Sequence, residues 1–386
     1  MTPIEDLLRE ALATTPEPAP STDPLGTLDR RVRRARRRLV ASAGVAAAVV
    51  AAAIVVPLTV GGGGQPSSVG VLTPQPSESP SPPPPGTTAL WTGNAVWAST
   101  SPSGERWLLY NDGGQSYVTR ISGKREEPVA VHDPAEYIVA GANVVWVIGG
   151  GVSGPGGPGS VVTAIDTRTG VASAPLMEDK ELSYGAASGD FLYVDASDSL
   201  GVNVEVFQPD GGAVRNVDTH PVSHAAEIVT ASDGNVWVHS GDKLVKLVLS
   251  EHGLYVGETV PWGSGQIFAR ALPRSAGPDG IWAYDGDRLI GLMPSALSQC
   301  VSCAEGDRVA VKGRPNAVVE THVGLYVSVP GAGLYYYSPD SLGSGETPVS
   351  GSIKGVQVIS LTADPAGGVD YVDDQSNLIH WQPVAR

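Results

Sequence analysis

The sequence predicts an all-β fold, a seven-bladed β-propeller, preceded by a single transmembrane α-helix and a disordered stalk. Three observations predict it. A short apolar stretch centred on Trp or Tyr recurs seven times from about residue 89 onward. A run of 22 residues without a charge, residues 39–60, directly follows an arginine cluster. A Gly-, Pro- and Ser-rich segment, residues 61–88, separates the two. The chain therefore divides into a cytoplasmic tail (1–38), a membrane helix (39–60), a stalk (61–88) and an extracytoplasmic propeller (89–386).

The tail opens with Thr2-Pro3-Ile4-Glu5, a helix start with Thr as N-cap, Pro in the first turn and Glu closing a capping box. Ile4, Leu7, Leu8 and Leu12 follow at helical spacing and form an apolar stripe. A helix this short is marginal by itself, so the stripe reads as a partner-binding surface, as a helix lying on the inner membrane face, or as an unremarkable tail. Residues 13–24 are a disordered spacer by composition.

Residues 30–38, RRVRRARRR, hold seven arginines in nine positions. The run that follows, LVASAGVAAAVVAAAIVVPLTV, would form a helix about 33 Å long, enough for a hydrocarbon core of about 30 Å. Positive residues beside a span stay cytoplasmic, which places the N-terminus inside and the propeller outside. A cleaved signal peptide would have a shorter apolar region and fewer residues before it.

The stalk begins with GGGG and continues as PQPSESPSPPPPG, a flexible start and then an extended polyproline spacer. No Gly-Lys-Ser/Thr follows the glycines, so they do not make a phosphate-binding loop.

The recurring stretches read NAVWA, NVVWV, FLYV, NVWV, GIWAY, GLYV and GVDYV. Their aromatics are Trp97, Trp146, Tyr193, Trp237, Trp282, Tyr326 and Tyr371, spaced by 49, 47, 44, 45, 44 and 45 residues. A period of 40–50 residues is that of propeller blades, and WD40-like repeats share it. In the fourth unit AEIVTA, NVWVHS, KLVKLVLS and LYVGETV give the four strands of a blade. The aromatics are expected to pack between neighbouring blades, since one blade cannot bury its own faces. The last unit ends soon after its third strand, so its fourth either comes from residues near the propeller's N-terminus, with 67–74 (SSVGVLTP) as the candidate, or is absent.

Charge sharpens the division. Of 25 basic and 40 acidic residues, eight and six fall within residues 1–38, leaving 17 and 34 and a net charge of about −17 beyond. So acidic a body argues against nucleic-acid binding.

Two resemblances follow from these motifs. Residues 232–247 (SDGNVWVHSGDKLVKL) and 277–292 (GPDGIWAYDGDRLIGL) resemble repeats of streptogramin-lyase-type propellers, and AIDTRTG (164–170) resembles a quinoprotein-type repeat. The LLREAL, RRVRRARRR and Ala-Val stretches resemble the N-terminus of actinobacterial membrane proteins that accompany extracytoplasmic-function sigma factors. The abundance of Arg and Ala has the same association. That second resemblance implies a cytoplasmic regulator such as a sigma factor as partner, although the tail lacks the His and Cys of a zinc-bearing anti-sigma domain.

The lyase resemblance implies histidine and glutamate around a magnesium ion on one propeller face. His220, His224 and Glu227, in THPVSHAAE, are the residues closest to such a set, and solvated loop residues are the plainer reading. No Gly-x-Ser-x-Gly elbow, His-Glu-x-x-His or paired-carboxylate motif occurs. Cys300 and Cys303 are the only cysteines; a four-thiolate zinc site would need two more, and outside the membrane they read as a local disulfide. DGDR and VDDQSN read as turns before calcium loops.

The expected function is thus binding or sensing by a membrane-anchored extracytoplasmic propeller, with no cofactor or resident metal and an unknown extracellular ligand or protein as partner. A lyase-like enzyme with a His/Glu metal site and a structural cell-envelope protein are the alternatives.

Overall fold

The computed structural model describes residues 84–121, 127–151, 159–197, 202–222, 225–263, 265–269, 280–294, 305–342 and 349–383. The tail with Ile4, Leu7, Leu8 and Leu12, the expected span, most of the stalk, His224 and both cysteines lie outside them.

Among the described residues, twenty-eight strands form seven four-stranded antiparallel sheets, the blades. Blade IV shows the unit: Ala225–Thr230 is innermost, followed by Val236–Ser240, Lys243–Ser250 and the outermost Gly253–Pro261. The innermost strands of the other blades are Ala95–Thr100 (I), Ala135–Ala140 (II), Glu181–Ser188 (III), Gln266–Phe268 (V), Ala317–Thr321 (VI) and Val358–Ala363 (VII). Two hairpins close on the same Asp-Gly-Gly turn. In Asp112–Gln115 and Asp210–Ala213 both glycines have positive φ, as a two-residue turn matched to strand twist requires.

The core is divided. Seven apolar clusters each lie between one blade and the next, and alternate residues of each second strand serve the two neighbouring clusters. In blade IV, Trp237 faces blade V while Val236 and Val238 face blade III. Among the described residues each cluster draws on two blades, so a blade depends on its neighbours to bury its faces.

Closure comes from the N-terminal side. Thr87–Trp91 pairs antiparallel with Leu378–Trp381 and supplies the outermost strand of blade VII. The closing strand is therefore not residues 67–74, which lie outside the described residues; the segment next to the first blade reaches the gap with less chain to order.

The aromatic repeat also needs one revision. Trp97 sits on the innermost strand of blade I, half-buried, with its ring 6.0 Å from that of Tyr137 in blade II. The second-strand position held by Trp146, Tyr193, Trp237, Trp282 and Tyr326 is taken in blade I by Trp107, opposite Ser99 and buried toward blade II. The first blade is offset because NAVWA and RWLLY are both strands, and the even spacing favoured the wrong one. Tyr371 differs in another way. It packs back toward blade VI, whereas its neighbours Asp370 and Val372 lie on the face toward blade I.

Candidate functional site

Strand direction sorts the loops onto two faces. Among the described residues, linkers between blades and the turns joining second to third strands lie on one face, and first-to-second and third-to-fourth turns lie on the other.

On the linker face, a cleft of about 400 Å³ opens where blades IV, V and VI meet, lined by Trp262, Gly263, Gly265, Gln266, Tyr284, Asp285, Gly286 and Arg314. Trp262 is held by its amide, which donates to the Asp242 carbonyl at 2.7 Å, and its ring rests on the cluster between blades IV and V. At Gly265 any Cβ would fall 2.0 Å from the Tyr284 carbonyl oxygen, so glycine alone lets the linker run along that strand. The Tyr284 hydroxyl donates to the Gly286 carbonyl, and the Arg314 Nε donates to Gln266 Oε1 at 2.9 Å. Burial raises the pKa of Tyr284, reinforced by Asp287 and opposed by Arg314.

Behind this cleft, His239 Nε2 lies 3.0 Å from the Gly263 carbonyl, and its Nδ1 is 3.6 Å from Glu227 Oε2. Glu227 Oε2 also accepts the Ile267 amide at 2.9 Å, tying innermost strand IV to innermost strand V. Glu227 is thus bonded to backbone, with His239 close beside it. His220 stands on the outermost strand of blade III, Ala213–Val222, opposite Val204. The partner of Glu227 was hidden from sequence because His239 lies twelve residues on, across a strand pair.

On the opposite face a larger cleft, about 640 Å³, separates blades II and III. Asn143 donates through its amide to Asp190 Oδ1 at 2.8 Å, and Arg168 Nη2 lies 3.2 Å from Asp166 Oδ2. The AIDTRTG motif forms this turn. Asp166 Oδ1 accepts the Arg168 and Thr169 amides at 2.8 and 3.1 Å, and the Arg168 side chain with these amides lowers the Asp166 pKa.

The third feature joins blades VII and I. Arg106 Nη1 lies 3.0 Å from Asp364 Oδ2 and 2.9 Å from Asp370 Oδ2. His380, the cross-strand partner of Asp370, places Nδ1 2.9 Å from Asp370 Oδ1 and 3.3 Å from Asp364 Oδ2. The hydrogen bond to Asp370 raises the His380 pKa; burial opposes it, both carboxylates add to it and Arg106 subtracts. Asp364, Asp370 and His380 are the one set of three ligand-type side chains within mutual reach among the described residues. A guanidinium already stands between the two carboxylates, so the donor set fits an internal ion cluster better than a metal site. Sequence reading missed it because its members come from three strands and a turn at opposite ends of the propeller.

No family model matches the sequence, and no curated protein does. Among solved structures, a chain of the mitotic checkpoint complex is similar over 86% of this chain and 100% of its own, with TM-score 0.54 and 10% identity. YCF48 from Cyanidioschyzon merolae is similar over 77% and 99%, with TM-score 0.50 and 15% identity. Kuenenia stuttgartiensis hydrazine synthase is similar over 76% and 97%, with TM-score 0.54 and 10% identity. At such identities the likeness shows the propeller fold alone. Three such different proteins illustrate that the fold does not fix function.

Proposed function

We propose that this chain is a single-pass membrane protein whose propeller acts outside the cytoplasm as a binding or sensing module, with the tail as its inner contact. The observation that carries the binding role is the placement of the clefts. Both open on loop faces of a closed ring. Loops on a rigid scaffold are where recognition residues gather. The orientation rests on RRVRRARRR before residues 39–60. A sigma factor or similar regulator on the tail rests on the Ile4, Leu7, Leu8 and Leu12 stripe and on the resemblance of the N-terminus.

Reporter fusions test the topology. Alkaline phosphatase fused after Arg386 should be active and green fluorescent protein there dark, with the opposite result for fusions at the N-terminus. A fluorescent C-terminal fusion would refute the orientation. Affinity capture with the full chain and with a chain lacking residues 1–12 tests the tail: a regulator retained only by the full chain supports signalling, and equal recovery with both removes it.

A further inference from the structure

We propose that the cleft at the meeting of blades IV, V and VI binds the carboxylate of a small acidic ligand, with Arg314 and Gln266 as donors and Trp262 and Tyr284 as the wall. This deepens the binding role proposed above and rests on it.

The first ground is the state of Arg314. The chain beyond residue 38 carries a net charge of about −17, so carboxylates are abundant. Arg106, Arg120, Arg168, Arg215 and Arg288 each lie within salt-bridge distance of one. Arg314 instead donates its Nε to the neutral side chain of Gln266, with no carboxylate among the described residues at that distance. Among the described residues, that bond leaves both terminal nitrogens of the guanidinium without an acceptor. It also turns the Gln266 oxygen toward Arg314, and the two N–H donors of Gln266 are left to offer beside one remaining lone pair. Two side chains of the lining therefore present donors, and a planar guanidinium fork matches a carboxylate in two parallel bonds.

The second ground is shape. About 400 Å³ lies in the range of small-molecule sites. Trp262 is half-buried with its backbone fixed, Tyr284 is buried with its hydroxyl bonded to Gly286, and Gly263, Gly265 and Gly286 leave the space between them open. Two aromatic side chains beside a donor pair suit a ligand with a flat or apolar body next to its acid group.

The third ground is Asp285, exposed at the rim of the same cleft. Its carboxylate, with the exposed Asp287 two residues on, opposes any anion and opposes a multiply charged one most, so among anions it ranks phosphate and sulfate below a monocarboxylate held by Arg314. Such a group is offered by a uronic acid of a polysaccharide or by the C-terminus of a short peptide.

Isothermal titration of the full-length protein in detergent micelles distinguishes these sources. The probes are glucuronate against glucose, N-acetyl-alanyl-alanine against its C-terminal amide, and inorganic phosphate. At least one carboxylate probe should bind tenfold or more tightly than its neutral counterpart and more tightly than phosphate. Which of the two does so names the source. Arg314→Ala should weaken that binding at least tenfold with the thermal midpoint unchanged, and Arg314→Lys should recover only part of it.

Equal binding of acid and neutral partners, tighter binding of phosphate, binding untouched by Arg314→Ala, or no binding of either acid overturns the proposal. Failure here with a correctly oriented fusion removes the ligand class and leaves the topology standing. A misoriented fusion with intact carboxylate binding does the reverse.

Discussion

The junction between blades IV and V and the junction between blades VII and I solve one problem with opposite chemistry. At the first, Trp237 is fully buried on the face toward blade V, packed with Val229, Leu244, Val260, Ile267 and Ile281. At the second, the apolar cluster is smaller, and Asp370, also fully buried, holds Arg106 of the first blade together with Asp364 and His380. Six junctions join blades that follow one another in the chain. The seventh must join its two ends and select one register. Apolar packing is strong but tolerant of sliding, whereas a buried charge set is satisfied in a single alignment. The difference teaches that, of these two junctions, the one between successive blades rests mainly on apolar burial and the one between the chain ends adds a buried charge set.

The largest expected effect is at the aromatic junction. Trp237→Ala should cost about 3–5 kcal/mol, read from the denaturant midpoint, because it empties a closely packed site. A loss below 1 kcal/mol would show that the junctions do not depend on this ring of aromatics. Asp370→Ala should cost about 3 kcal/mol by leaving Arg106 and His380 to share Asp364 alone. The double change Arg106→Met with Asp370→Leu should recover most of that stability, since an apolar pair needs no charge compensation. Were the double variant no better than the single one, the cluster would be contributing more than mutual neutralisation.

Acidity should separate two histidines by sign. His380 has its pKa raised above 6.5, so its contribution is complete below 6.5 and fades as pH rises through the folded-state value. His132, near the junction of blades I and II with Nδ1 2.8 Å from Thr163 Oγ1, has its pKa lowered to about 4 by burial, with Asp133 opposing. Its contribution is present above 6.5 and is lost as pH falls toward about 4. Thermal midpoints from pH 4 to 8 should therefore show His380→Gln closing its gap with the parent at alkaline pH, and His132→Gln closing its gap at acid pH. Parallel curves would remove both assignments. The smallest effect is expected at the exposed Arg168–Asp166 pair, where Arg168→Ala should leave the denaturation midpoint unchanged.

How much was legible in the sequence follows the same division. The blade count could be read because each blade repeats one local event, a turn followed by an apolar strand around Trp or Tyr. Trp97 misled because NAVWA has the right composition, and only strand pairing shows that Trp107 takes the repeated place in blade I. Glu227 was visible as a residue of interest, but its link to His239 and Ile267 was not, because contacts across strands have no fixed spacing. Arg314 carried no motif at all; its interest arises from what does not surround it.

By itself the sequence determined the seven-bladed ring, since strand periodicity and turn glycines are short-range properties written within each repeat. Its charge-free run before the stalk fixed the expectation of an anchor in the same local way. Only the tertiary structure decided that Thr87–Trp91 closes the ring, that Asp370 replaces the forward-facing aromatic at the seam, and that Arg314 faces Gln266 beside Trp262. Each of these joins residues far apart in the chain, and such pairings are selected by the energy of the closed ring as a whole, which no local pattern encodes.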